Sequence, residues 1–111
     1  MPEIYKITPL REWERAEAAG TFTGAPVDLA DGFIHFSTRE QVAETAARHF
    51  AGQSGLLLVA VDGAKLRDLR WEPSRGGDLF PHLYGPLPMD AVMWARPMPL
   101  EDGTHRLPFA A

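Results

Sequence analysis

Apolar and polar positions along the chain fall into short segments with clear punctuation. Residues 4–7 alternate and predict a first strand. Thr8 then offers a hydroxyl N-cap, and Pro9 suits the first helical position, where its missing N–H is unpaired anyway. Leu10, Trp13 and Ala16 recur at helical spacing up to Gly20, so a helix is expected over 9–19. Residues 21–32, with Gly24, Pro26, Asp28 and the pair Asp31-Gly32, read as loop. Residues 33–36 form a short strand entering a helix over 38–51. That helix has two overlapping capping boxes, Ser37 with Glu40 or Thr38 with Gln41, and an apolar side of Val42, Ala46, His49 and Phe50.

The continuous apolar run 56–61 suits a buried central strand. Residues 62–79 look irregular. Residues 79–84 suggest a strand pushed to an edge or bulge by Pro81, and 91–95 another strand. Asp102-Gly103 signals a hairpin, with 105–107 returning. Strands cluster in the second half, which favours an α+β fold with a twisted mixed or antiparallel sheet and two main helices. Residues 33–36 and 56–61 are expected in one sheet.

The length of 111 residues matches a single domain spanning 1–111, and the 45% hydrophobic and 23% charged fractions are those of a globular chain. A net charge of −4 argues against general nucleic-acid binding while leaving room for a local basic pocket. With no cysteine there is no disulfide framework or thiol nucleophile. No segment is apolar enough to span a bilayer, and no signal-like start is visible, so a cytoplasmic location without membrane association is expected.

Three segments carry candidate chemistry. On the strand 33–36, His35 and Phe33 share one face, and Ser37 and Thr38 follow at a helix start where unpaired N–H groups can meet a phosphate or carboxylate. The plainer reading makes those hydroxyls caps. Glu72 and Arg75, ahead of Gly76-Gly77, are an acid or base and a phosphate contact, or merely a local ion pair. His82 and Tyr84 face one way on an extended segment stiffened by Pro81 and Pro86, either as a reactive wall or as a hydrogen-bonded aromatic surface. His35 and His82 are suited to acid–base work because imidazole titrates near neutrality. His35, Ser37 and at least one of His82 and Tyr84 are expected to border one cavity. The four histidines, 35, 49, 82 and 105, lack metal-ligand spacing, and no metal is expected.

At these residues the chain resembles a family. Residues 4–7, the Trp13 helix, the run 31–38, Gln41, Thr45-Ala46, His49-Phe50 and the run 80–85 look like the bacterial Domain of Unknown Function 952 family. That family in turn is distantly similar to the ADP-ribosyltransferase fold, including RNA 2′-phosphotransferases. The resemblance implies a split β-sheet gripping NAD or an ADP-ribose-like ligand. It places His35 and Ser37 near the sugar, and Lys6 where such enzymes carry His or Arg. His82 or Tyr84 would stand where many carry a catalytic Glu, a role for which Glu72 would be the substitute. On this view His35, His82, Tyr84 and Glu72 are catalytic candidates, and Lys6, Ser37, Thr38 and Arg75 bind a nucleotide or other small molecule. The chain is then an enzyme or a degenerate one; the alternative is a non-catalytic module binding a small ligand or a protein partner.

Overall fold

A computed structural model of the chain describes residues 3–109, the side chain of Arg75 excepted. The elements are β1 (Glu3–Pro9), α1 (Leu10–Ala19), β2 (Thr21–Phe22), α2 (Pro26–Asp31), β3 (Ile34–His35), α3 (Val42–His49), β4 (Leu56–Asp62), β5 (Leu69–Ser74), β6 (Asp78–Leu83), β7 (Leu87–Pro88), β8 (Val92–Pro97), β9 (Leu100–Glu101) and β10 (Thr104–His105). The fold is α+β, and the pairings among the described strands are antiparallel.

The apolar run of β4 is continuous because both of its faces are covered. Leu57, Val59 and Val61 pack with Ile4, Trp13, Phe22, Ile34 and Leu83; Leu56, Leu58 and Ala60 pack with Tyr5, Val42, Ala46 and Met98. β4 therefore lies at the centre of a three-stranded sheet, β1-β4-β8. Residues 33–36 are not in that sheet, contrary to expectation. β3 instead joins a second sheet, β3-β6-β5. Among the described residues the two sheets are linked at one isolated bridge, where the N–H groups of Tyr5 and Ser37 donate to each other's carbonyls at 2.8 and 2.9 Å. Two further short pairs, β2-β7 and β9-β10, complete the strands.

Other expectations change in detail. Thr8 is not an N-cap. It stays in β1 with its buried hydroxyl donating to the Pro9 carbonyl, and Pro9 itself takes the N-cap position in extended geometry. Gly20 does close α1, at φ +84°. The segment 21–32 is not simply loop but contains β2 and the short helix α2, so the described residues hold three α-helices, α2 beside the two main ones. The helix after Ser37 starts late, at Val42. Of the two capping boxes only half of one forms, the Thr38 N–H donating to Gln41 Oε1 at 3.0 Å. His49, expected on the apolar side of this helix, is exposed.

The stretch 62–79 contains a full strand, β5, and β6 is central rather than an edge. Pro81 is tolerated there for a geometric reason. In an antiparallel pair a residue's N–H and C=O face the same neighbour. The Pro81 carbonyl accepts from the Phe36 N–H, so the missing N–H falls on the side of the two-residue β3, not on the long β5. The β9–β10 hairpin turns through Asp102 and Gly103, both at positive φ (51° and 78°), as a two-residue turn of primed type requires.

Trp13 is 1% exposed and, among the described residues, its Nε1 is the buried side-chain polar atom without a hydrogen-bond partner. No described helix is long and apolar enough to cross a membrane.

Candidate functional site

Side chains of β3, β5 and β6 alternate between two faces. Ile34, Phe36 and Leu83 point into the core, which leaves His35, His82 and Tyr84 on the opposite face with Arg70 and Glu72 of β5. The register sets His35 beside His82 and His82 beside Arg70. The two imidazole centroids lie 5.6 Å apart, edge to face. Phe33 stacks on His82 at 4.1 Å and touches the rings of His35 and Tyr84. His82 is thereby 6% exposed, whereas the His35 side chain is 34% exposed.

Each imidazole is held through Nδ1 by a carboxylate. His82 Nδ1 meets Glu72 Oε1 at 2.8 Å, and the Tyr84 hydroxyl donates to that same oxygen at 2.7 Å. The Tyr84 hydrogen bond, then that of His82, pulls the Glu72 carboxyl below its ordinary value; the same bond raises the Tyr84 phenol. The Arg70 guanidinium lies 4.8 Å from the Tyr84 ring centroid.

His35 Nδ1 donates to Asp28 Oδ1 at 2.6 Å, and its backbone N–H donates to that oxygen at 3.1 Å. Asp28 is 1% exposed and also accepts from Lys6 Nζ (2.9 Å) and the Ala25 N–H (2.7 Å). Burial alone would raise the Asp28 carboxyl, but the hydrogen bond from His35 and the charge of Lys6 outweigh it and draw it down to about 2. For Lys6, itself 5% exposed, burial wins and lowers the ammonium from its ordinary value against the pull of Asp28. The second nitrogen of His35, Nε2, lies 2.9 Å from Asp31 Oδ2 at the end of α2. His35 thus spans a buried carboxylate and a surface one.

Geometry unites most of the sequence candidates and separates others. His35, His82, Tyr84 and Glu72 form one cluster, and Lys6 joins it from β1 through Asp28. Ser37 does not; it is buried and its hydroxyl bonds Thr45 of α3 at 2.9 Å. Thr38 serves the turn before α3 through its backbone. Arg75 follows β5, but its side chain lies outside the described residues. Neither of two cavities close to the cluster is the expected shared one. One, of about 390 Å³, lies between α1, β2 and α2. The other, of about 200 Å³, borders Asp28 and Phe33, and neither lining includes His35, Ser37, His82 or Tyr84. At the histidine cluster Phe33 stacks over the buried His82, while His35 stays part-exposed. No group of three or more His, Cys, Asp or Glu arranged to hold a metal occurs among the described residues.

Sequence reasoning left Asp28, Asp31 and Arg70 out of the site and gave Phe33 only as the residue sharing a strand face with His35. Asp28 was legible in principle, since Pro26 followed by an acid in the first turn and Gly32 after the last is a helix signature.

The family model described as "Protein of unknown function (DUF952)" matches residues 7–95. The chain belongs to the DUF952 family. Its fold is similar to the crystal structure of protein CC0527 from Caulobacter crescentus, at 51% identity over 95% of this chain and 94% of that one, with a TM-score of 0.90. The solution NMR structure of the same Caulobacter protein gives a TM-score of 0.84 at 50% identity, covering 96% and 92% of the two chains. No curated protein matches. Neither the family description nor the Caulobacter protein's name states an activity. In this DUF952 chain the histidine face gathers most of the candidate chemistry.

Proposed function

We propose that the outer face of the β3-β6-β5 sheet binds a nucleotide-type ligand, NAD or an ADP-ribose-like molecule. The chain is then an ADP-ribosyltransferase-like enzyme or a degenerate descendant of one. The observation that carries this reading is the pairing of His35 and His82, rings 5.6 Å apart, each oriented by a carboxylate on Nδ1. A carboxylate on one nitrogen fixes the tautomer and directs the other nitrogen outwards, the usual preparation of an imidazole for proton transfer or ligand binding. Two three-stranded sheets joined at one bridge fit the split sheet implied by the resemblance, and Glu72 stands beside His82 and Tyr84, where that resemblance wants an acid. His35, the more exposed ring, faces the ligand; His82 and Tyr84 act behind it with Glu72.

One observation favours the non-catalytic alternative. Both ring nitrogens of His35 are engaged by carboxylates, which suits holding a ligand more than moving a proton. A thermal-shift series with NAD, ADP-ribose and AMP tests the binding. Nicotinamide release from NAD then separates enzyme from binder. A melting temperature unmoved by all three nucleotides at millimolar concentration would sink the nucleotide reading.

A further inference from the structure

The two carboxylates on His35 differ in kind. Asp28 is buried, fixed by four donors and already charge-matched by Lys6 at 2.9 Å. Asp31 is 49% exposed at the end of a six-residue helix and meets only the outer nitrogen. Both ring nitrogens face carboxylate oxygens, Asp28 at Nδ1 and Asp31 at Nε2, and when both nitrogens are protonated the charge that Asp31 meets is that of His35. The position 2.9 Å from Nε2 is therefore an anion position, and the chain fills it with its own side chain.

We propose that Asp31 is a displaceable stand-in for an oxyanion of the ligand, a phosphate-type group that binds His35 Nε2 when Asp31 swings into solvent. Asp28 is the positioning residue that keeps the ring aimed at this place. The inference deepens the nucleotide reading and rests on it for the ligand's identity, since it assigns the phosphate contact to His35. Arg70, on the same face, adds a cation, while the nearby Glu72 is engaged by His82 and Tyr84. Losing Asp31 removes both a competitor and a negative charge from the anion position.

The test uses inorganic phosphate as the probe and the ring nitrogens of the four histidines, followed by NMR, as the readout. Asp31→Ala is expected to bind phosphate about tenfold more tightly than the parent protein, a gain of about 1.4 kcal/mol. The shift changes should centre on His35 Nε2 and spare His105, which lies elsewhere on β10. Adding Asp28→Asn, which keeps the shape but weakens the hold on Nδ1, should abolish the gain. Should that double variant not fold, Asp31→Ala decides alone. Equal phosphate affinity in Asp31→Ala and parent, or shifts centred away from His35, overturns the proposal. Phosphate binding at His35 without any nucleotide binding upholds the oxyanion site and removes the nucleotide reading. Nucleotide binding that leaves His35 unperturbed does the reverse.

Discussion

At the scale of single residues, Asp28 does more than any side chain singled out from the sequence. It ties β1, α2 and β3 together through Lys6, Ala25 and His35. Removing one partner of a buried ion pair strands the other charge, so Asp28→Ala is expected to cost about 3–5 kcal/mol in chemical denaturation. His35→Ala, at a part-exposed ring, should cost about 1 kcal/mol or less, whereas His82→Ala strips a buried stack and a hydrogen bond and should cost about 1–3 kcal/mol. Equal losses at the two histidines would show that their different exposure carries no energetic weight. Asp28 also sets an acid limit. Its carboxyl titrates at about 2 in the folded chain, against an ordinary value of 3.8. As pH falls, the unfolded chain takes up this proton first. The contribution is complete above the unfolded value and declines as pH drops from there through about 2. Denaturation midpoints of parent and Asp28→Asn, compared between pH 5 and pH 2, should therefore converge towards the acid end.

At the scale of elements, strong local signals were read well and weak ones were not. β4 was legible because its run is apolar on both faces, and the β9–β10 turn because Asp-Gly supplies the two positive φ values it needs. α1 was legible from its spacing and Gly20, although Thr8 stayed in the strand because its partner register with Leu57 holds it there. α2 carried end signals in Pro26 and Gly32 but was passed over, since its six residues bury one side chain, Asp28, and show no apolar stripe between those ends. β5 was hidden although Leu69, Trp71 and Pro73 alternate with polar residues, because none of its six residues is buried and Pro73 ahead of Gly76-Gly77 reads as a loop signal. The approach to α2 depends on a glycine. Gly24 sits at φ +122°, and a Cβ there would lie 2.9 Å from the Cβ of Asp28. Gly24→Ala is expected to cost about 1–3 kcal/mol and to loosen the Asp28–His35 contact. The measurement is denaturation alongside the His35 ring shifts; a neutral substitution would mean α2 adjusts freely.

At the scale of the whole molecule, sequence periodicity assigned faces but not partners. The same-face pairing of His82 and Tyr84 follows from alternation alone, and so does the placement of Phe33 with His35. That the two pairs meet depends on β3 crossing to β6, a contact between residues about fifty apart that no local pattern encodes. Likewise one sheet was expected where two three-stranded sheets and two short strand pairs are described, because strand signals do not state where a sheet splits. The buried indole of Trp13 gives the assembled core an optical signature. Its Nε1 has no hydrogen-bond partner and its ring packs against Phe22, while Trp71 is 39% exposed and Trp94 half-buried beneath the Arg96 guanidinium. An indole in apolar surroundings without a hydrogen bond emits towards the blue, and water-exposed indoles emit towards the red. The folded protein should therefore show a composite emission band whose short-wavelength edge belongs to Trp13. Trp13→Phe should erase that edge, while Trp71→Phe should narrow the band from the red side. Iodide should quench the red component first, leaving a spectrum that reports on the packing of α1 against the sheet.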